Sequence, residues 1–184
     1  VATRHGVVFA TFGGKIESLE DYLGPENLEH FDVVFANRKL RILGFYRNRL
    51  KGNWKLYHEN LKDPYHATLL HVYLATFRMM VAGQKSAMIV DATGRHATAA
   101  SAKDDDIKIN KEMVEEMKGA FRVGMDLNDP DFTRYVPEFD SPWTVTMQTI
   151  WPNLIVQREL NTLGIRHIVP RGPHELDMYW TMFG

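Results

Sequence analysis

The fold is decided by the last part of the chain, where apolar runs follow one another with short turns between them. The first run is Thr144-Val-Thr-Met-Gln-Thr-Ile-Trp151, and the second is Leu154-Ile-Val156. The third is Ile165-Arg-His-Ile-Val169, and the turn Arg171-Gly172-Pro173 leads into a fourth run at residues 175–183. The β-branched and aromatic residues in these runs are typical of strands. Because consecutive strands joined by short turns pair in opposite directions, the sequence predicts an antiparallel sheet.

The chain upstream of this sheet combines further strands with helices. Ser18 predicts the start of a short helix over residues 19–23. A longer helix-forming stretch runs from Trp54 to about Met80 and is interrupted at Asp63-Pro64. We also expect strands at 6–12, 31–35 and 40–46, a hairpin of 86–90 with 95–100, a helix at 109–118 and a loop at 126–142. We therefore predict an α+β fold in which a curved antiparallel sheet grips a long helix (the helix-grip architecture). The helix from Pro64 would cross the concave side.

Composition excludes several classes of protein. The chain has 184 residues, of which 45% are hydrophobic and 24% charged, as in an ordinary globular domain. Its 22 basic and 23 acidic residues give a formal net charge of −1, so we expect no nucleic-acid partner and no membrane partner. The absence of cysteine excludes a disulfide framework, a cysteine nucleophile and a Cys-ligated cluster within this chain. We expect a cytoplasmic protein, because a cysteine-free chain fits a reducing compartment.

The segment after Asp63 carries a candidate metal site. Asp63-Pro64 is a strong signal for the start of a helix, with an acidic N-cap and proline at the first helical position. That start puts His66 in the first turn and His71 in the second. The positive end of the helix dipole disfavours protonated imidazole, and neutral imidazole is the form that binds a metal.

The spacing of these two histidines has a structural consequence. On a regular α-helix, residues five apart differ by roughly 140° in direction. Two ligands at this spacing converge easily only where the helix is locally widened, so a metal role predicts an irregular helix between Ala67 and Leu70. The residues alone favour a structural role for either histidine over a metal role. The other histidines show no such clustering and are interpreted as structural: His5, His30, His58, His96, His167 and His174.

A longer pattern surrounds the two histidines. It comprises Asn53-Trp-Lys55, Glu59-Asn60, Asp63-Pro-Tyr-His66 and His71. This pattern resembles the mononuclear-iron motif in the large (alpha) subunit of Rieske-type aromatic-ring-hydroxylating dioxygenases. The form Asn60-Leu-Lys-Asp-Pro-Tyr-His-Ala-Thr-Leu-Leu-His71 is most similar to the salicylate hydroxylase and anthranilate dioxygenase branch.

The resemblance implies roles for four residues. His66 and His71 would be two ligands of a mononuclear, non-haem Fe(II), in a two-histidine, one-carboxylate triad that leaves positions open for dioxygen. Asp63 would form a hydrogen-bonded bridge from His66 to the Rieske cluster of a neighbouring subunit. Asn60 would lie near the iron, as a distant weak contact or as part of the pocket wall.

The resemblance also implies a reaction and partners. The intact enzyme would insert oxygen from O₂ into an aromatic ring, with a benzoate-like acid such as salicylate or anthranilate as substrate. Electrons from NAD(P)H would reach it through a reductase, a ferredoxin or both. The subunits would form a homotrimer, or an alpha3beta3 assembly with a small β subunit, so that Asp63 meets a neighbour's cluster.

We expect residues 1–184 to be most of one catalytic domain. The family's Rieske domain, with its [2Fe-2S] cluster, would precede this region. A helix with the carboxylate ligand would follow it, because Asp140, Glu175 and Asp177 do not match the motif of that ligand. The chain by itself would therefore not be a working oxygenase.

Two other functions fit some of the same residues. Because a helix-grip fold encloses an apolar cavity, the chain could be a non-catalytic module that binds hydrophobic ligands. Histidine and carboxylate ligands also suit zinc, but the sequence has no His-Glu-x-x-His pattern, which makes a zinc hydrolase the weaker interpretation. The paired histidines together with Asp63 favour the oxygenase.

Overall fold

The sheet expected from the C-terminal runs is the centre of the structure. The computed structural model describes residues 1–77, 79, 85–102, 125 and 127–184. A two-stranded sheet of β1 (Ala2–Arg4) and β2 (Val7–Phe9) stands apart from a seven-stranded sheet with strand order β3-β9-β8-β7-β6-β5-β4. Its strands are β3 (Ile42–Lys51), β4 (Ser86–Val90), β5 (Ala97–Ser101), β6 (Val145–Ile150), β7 (Leu154–Glu159), β8 (Thr162–Gly172) and β9 (Glu175–Phe183). Every neighbouring pair is antiparallel, which confirms the prediction.

The helices of the described residues are few and mostly short. They are α1 (Leu19–Leu23), α2 (Pro25–Phe35), α3 (Trp54–Asn60), α4 (His66–Leu70) and α5 (Val72–Thr76), with a 3₁₀ turn at Pro130–Thr133. Ser18 caps α1 as expected, since its Oγ accepts a hydrogen bond from the Asp21 N–H at 3.0 Å. The α+β class is confirmed. Among the described residues, we find no helix with the length and apolar character needed to cross a membrane.

The two faces of the sheet are both buried, each against a different helix. Because side chains alternate along a strand, neighbours such as Ile155 and Val156 belong to different cores. The first face packs against α1 and α2 in a core of Leu23, Phe31, Val34, Phe35, Phe139, Ile150, Val156 and Leu163. The second face packs against α3 in a core of Ile155, Ile168, Leu176 and Met178, with Leu50, Trp54, Tyr57, Leu61 and Trp180 partly buried around it.

The expectation of a strand at residues 31–35 is wrong. These residues form the last turns of α2, which begins with Pro25 at its first position. Its buried positions are Asn27, His30, Phe31, Val34 and Phe35, which repeat at helical spacing. A five-residue apolar run is too short to show that period by itself, so its composition alone favoured a strand.

The helix expected from Pro64 is divided into α4 and α5 at His71, and it is not the helix gripped by the sheet. The helix that packs across β4, β5 and β6 is α2, while α3 contacts β8. The strand predicted at 40–46 is β3 and continues to Lys51. The helix predicted at 109–118 lies outside the described residues.

Two buried histidines show how differently a structural imidazole is held. His96 accepts a hydrogen bond at Nδ1 from the Trp151 N–H at 3.1 Å, and its Nε2 donates to the Tyr22 carbonyl at 2.8 Å. His58 is fully buried in α3, between the rings of Trp54 and Trp151, and neither of its ring nitrogens has a partner among the described residues. Burial lowers the pKa of His58 to about 4, with a smaller contribution from the Lys62 cation.

This burial predicts that acid destabilises the fold through His58. Between about pH 6.5 and pH 4, the unfolded chain binds a proton on His58 that the folded chain does not. The free energy of unfolding therefore falls as the pH is lowered through this window, by at most about 1.4 kcal/mol per pH unit from this group. The variant His58→Phe removes the titrating ring and therefore escapes this loss. The melting temperature of the variant minus that of the unmodified protein should increase as the pH is lowered from 7 to 5. Thermal unfolding at matched pH measures this, with the exposed His174→Phe as control, and a constant difference contradicts the prediction.

Candidate metal centre

The turn before α4 is fixed by the side chain of Asp63. Its Oδ1 accepts hydrogen bonds from the main-chain N–H of Tyr65 at 2.8 Å and of His66 at 3.4 Å. This is the capping role expected from the Asp63-Pro64 pair. The regular helix begins at His66, two residues after Pro64, within the usual scatter of helix boundaries.

His66 is held in one orientation by the main chain. Its Nδ1 lies 2.8 Å from the Asp63 carbonyl oxygen, which can only accept, so Nδ1 carries the proton. In neutral His66 the lone pair is then on Nε2, the atom that remains for a metal ion. The side chain is 15% exposed, so the ring is nearly enclosed while its Nε2 faces His71.

His71 ends α4 and redirects its own ring. Its N–H still donates to the Ala67 carbonyl at 3.0 Å, but its φ of −92° and ψ of 67° are not helical. The irregularity expected between Ala67 and Leu70 therefore occurs at His71 itself, as a break between two helices instead of a widened turn. The break brings two side chains together that a regular helix would direct roughly 140° apart.

The result is a pair of facing imidazole nitrogens. His66 Nε2 and His71 Nε2 are 3.2 Å apart. Two nitrogen ligands about 2.1 Å from one ion, at a right angle, would be separated by roughly 3 Å. The pair therefore fits two adjacent positions around a transition metal. A hydrogen bond from His71 Nε2–H to His66 Nε2 fits the same distance, so the geometry alone leaves both interpretations open.

The other candidate residues lie beside this pair at different distances. The Asp63 Oδ2 is 3.8 Å from His66 Nδ1, and this side chain is 45% exposed. Asn60 is exposed at the end of α3, and its main-chain carbonyl accepts from the Asp63 N–H at 3.3 Å. Asp63 therefore lies beside His66, whereas Asn60 contacts this segment only through its main-chain carbonyl.

No third ligand is found within the part of the chain that the structure describes. There, no group of three or more histidine, aspartate or glutamate side chains could hold a metal ion. Asp177 is engaged elsewhere, since Arg49 Nε lies 3.0 Å and Arg171 Nε 2.7 Å from its carboxylate. These guanidinium groups hold the pKa of Asp177 at about 2.

The cavity beneath the β1–β2 sheet does not contain the histidine pair. A volume of about 1540 Å³ lies between the β1–β2 sheet, α1 and the first face, where Phe9, Ile16, Trp151, Ile165 and Phe183 line it. We expected both histidines to point into a central cavity, and they do not line this one.

Sequence reasoning missed a buried polar group on the second face. Arg166 of β8 is 8% exposed, and its Nη1 donates to the Tyr57 hydroxyl at 3.0 Å. Its Nη2 donates to the Gln157 side-chain oxygen, and its guanidinium lies 4.0 Å above the Trp180 ring. The available signal was an arginine inside the apolar run at 165–169, where a strand buried on both sides has no obvious place for a charge.

The proteins to which this chain is similar all belong to one family. The family model for the catalytic domain of the ring hydroxylating alpha subunit matches residues 30–183. The chain is 45% identical over 188 residues to the large oxygenase component of salicylate 5-hydroxylase from Ralstonia sp, covering 100% of this chain and 43% of that protein. It is 36% identical over 185 residues to the anthranilate 1,2-dioxygenase large subunit of Burkholderia cepacia, with 100% and 43% covered.

The fold is also found among solved structures. Naphthalene 1,2-dioxygenase from Rhodococcus sp., bound to indole, superimposes with a TM-score of 0.67 at 19% identity, covering 100% of this chain and 44% of that one. At this identity the likeness concerns the fold alone. The chain spans about 43% of the length of the two curated relatives. The activities in their names therefore belong to proteins more than twice as long as this chain.

Proposed function

Because the chain belongs to the family of ring-hydroxylating alpha subunits, matching its catalytic domain over residues 30–183, we propose that it is most of the catalytic domain of a Rieske non-haem iron oxygenase. The intact enzyme would insert oxygen from O₂ into an aromatic ring. The observation that carries this proposal is the pair of Nε2 atoms 3.2 Å apart, one of them with its tautomer fixed by a carbonyl.

In this proposal His66 and His71 hold a mononuclear Fe(II). Two neutral imidazoles supply two sides of a facial triad, and a carboxylate outside residues 1–184 supplies the third. When bound, the ion supplies the redox chemistry with dioxygen, while the protein supplies position. The Asp63 carbonyl keeps the His66 ring oriented, because it accepts a hydrogen bond from the ring's Nδ1–H.

Asp63 would also conduct electrons into the site. Its carboxylate is 45% exposed and 3.8 Å from His66 Nδ1, which is beyond hydrogen-bond range, so a bridge would require the carboxylate to move closer to the ring. In this arrangement the electrons come from NAD(P)H, through a reductase, a ferredoxin or both, to a Rieske [2Fe-2S] cluster. The assembly would be a homotrimer or alpha3beta3, and Asn60 would form part of the wall near the iron.

The proposed substrate is a benzoate-like aromatic acid. Two relatives carry salicylate and anthranilate in their names, and both compounds are aromatic rings with a carboxylate. The alternative, a non-catalytic module for hydrophobic ligands, has one observation in its favour, the cavity of about 1540 Å³ on the first face. A cavity alone does not explain two converging imidazole nitrogens.

Removing either histidine should remove the mononuclear iron. In the intact subunit, His66→Ala or His71→Ala should lower the mononuclear iron content to background and abolish product formation, because one imidazole and one carboxylate do not hold the ion. The visible spectrum of the Rieske cluster should be retained. Elemental analysis measures the iron, with the exposed His174→Ala as matched control. Normal iron content in either variant would refute the metal assignment and favour the hydrogen-bonded pair.

Two substitutions distinguish the role of Asp63 as a helix cap from its proposed role as an electron bridge. Asp63→Asn keeps an oxygen that caps the N–H of Tyr65 but loses the charge, whereas Asp63→Ala loses both. If Asp63 carries electrons, both variants should lose turnover in single-turnover kinetics, and only Asp63→Ala should also lose about 1 kcal/mol of stability. Full turnover by a folded, iron-loaded Asp63→Asn would contradict the bridge and leave only the cap.

The reaction itself is tested by isotope labelling. We expect the intact enzyme with its electron donors to transfer ¹⁸O from labelled dioxygen into salicylate or anthranilate, measured by mass spectrometry of the products. Naphthalene serves as a neutral comparison. Label in products of neutral arenes only would overturn the substrate class, and no labelled product from any arene would count against the oxygenase assignment.

A further inference from the structure

The β1–β2 sheet is only lightly attached to the rest of the chain. None of its residues is buried, and Val7 and Phe9 pack partly against the first core. Helix α1 differs, because its Leu23 is fully buried in that core. Residues 10–18, which join β2 to α1, are all exposed and form neither helix nor strand. An exposed, irregular segment between two separately packed units is typical of a domain boundary.

The match to the family model separates the same two parts. The model of the catalytic domain matches residues 30–183, so the β1–β2 sheet lies outside it. Helix α1 also precedes residue 30, but its burial in the first core assigns it to the catalytic domain. The two curated relatives are large subunits, and they align over 100% of this chain. The β1–β2 sheet is therefore shared with large subunits, although it is not part of what the catalytic-domain model describes.

Both outer edges of the β1–β2 sheet are unpaired among the described residues. Strand β1 pairs only with β2, from Ala2 opposite Phe9 to Arg4 opposite Val7. The tight turn His5-Gly6 joins the strands, and both of its φ angles are positive. An isolated hairpin of this size is marginally stable in water, and open edges accept further strands. The hairpin is therefore suited to be the end of a larger sheet.

The cavity beneath the hairpin is surrounded by exposed apolar side chains. Its volume is about 1540 Å³. Five of the residues that line it are apolar and strongly exposed: Val1, Val8, Phe12, Ile16 and Ile42. Exposed apolar residues that are concentrated in one place mark an interaction surface. Because Val1 lies at this cavity, any residues that precede it in the intact subunit emerge here.

An ion pair fastens the hairpin to the rest of the chain. Arg4 Nε donates to Asp32 Oδ1 at 2.7 Å, and Arg4 Nη2 donates to Asp32 Oδ2. His5 Nε2 lies 2.9 Å from the same carboxylate, and Arg4 Nη1 lies 3.3 Å from Glu20 Oε1. The hydrogen bonds from Arg4 lower the pKa of Asp32. Two parallel bonds between a guanidinium and a carboxylate fix the orientation of the two groups as well as their distance.

We propose that residues 1–9 are the closing hairpin of the domain that precedes this chain in the intact subunit, and that this domain covers the cavity. The proposal rests on the proposed function, in which the preceding domain carries the Rieske cluster. The remaining strands of that domain extend the β1–β2 sheet, and its surface buries the five exposed apolar side chains. The Arg4–Asp32 pair sets its orientation relative to the catalytic domain, which then begins near α1.

Hydrogen exchange in the intact large subunit tests the domain assignment. Removing the [2Fe-2S] cluster with a chelator and a reductant destabilises the domain that holds it, because metal binding is coupled to folding. We expect the main-chain N–H groups of residues 2–9 to exchange at least about tenfold faster after this treatment, while those of residues 145–183 are unchanged. Unchanged exchange in residues 2–9, or an equal acceleration in both regions, would overturn the proposal.

Hydroxyl-radical footprinting of the intact subunit tests the cover over the cavity. Val8 at the cavity is 64% exposed in this chain, and Val136, in the loop before β6, is 51% exposed and serves as the matched control. We expect Val8 to be oxidised at least about fivefold more slowly than Val136, because the core of an interface excludes water. Similar rates would contradict the proposed cover. Protection of Val8 that disappears on dilution would show that a second copy of the chain covers the surface, and this too would overturn the proposal.

The variant Asp32→Asn tests the ion pair from the side of α2. In the intact subunit it should accelerate exchange of residues 2–9 about tenfold, the loss of one charged hydrogen bond, while the cluster is retained. Asp131→Asn is the control, since Asp131 pairs with Arg134 at 3.6 Å on the exposed surface. Equal effects of the two substitutions would overturn the role of Arg4–Asp32 in orienting the domain.

The proposed function fails in a different way from this proposal. Its failure is the absence of ¹⁸O from every product of the unmodified enzyme, whereas the exchange and footprinting experiments measure protection of the hairpin without any turnover. The two failures are therefore distinguishable.

Discussion

Strands β7, β8 and β9 bury side chains on both faces, and the rest of the structure depends on this double burial. Because side chains alternate along a strand, its odd and even positions pack into two different cores. Val156 packs toward α2, whereas Ile155 packs toward α3. The second core fixes α3 through Trp54 and Tyr57. Because the chain leaves the C-terminal end of α3 directly into the turn at Asp63, packing of this helix determines where the histidine segment begins.

The histidine pair depends on the main chain more than on side-chain packing. A carbonyl of the turn holds the ring of His66, and a non-helical ψ of 67° at His71 turns the second ring toward the first. Neither feature requires a particular residue beyond the histidines and Asp63. The site is therefore built from one short segment, which is why its spacing can be recognised in the sequence without a view of the whole domain.

The sequence predicts the sheet well and the details of the site less well. The runs at 144–151 and 175–183 correspond closely to β6 and β9, because alternating β-branched and aromatic residues carry a clear signal. Residues 31–35 were too short a run to show a helical period. The break at His71 follows from two backbone angles, and no residue type in that segment specifies them. The buried position of Arg166 depends on its hydrogen bond to Tyr57, which is 109 residues away in the chain. No local sequence pattern contains such a contact.

Gly164 shows how a residue without a side chain can limit the variation of a core. The indole nitrogen of Trp180 occupies the space where a Cβ would stand, so the smallest possible substitution, alanine, would displace the ring and with it the guanidinium stacked on it. Gly164 itself has no side chain to pack, yet the position of the Trp180 ring depends on it. For directed evolution, a library that varies only the residues around the histidine pair would therefore leave untouched a position that controls the packing of the second core.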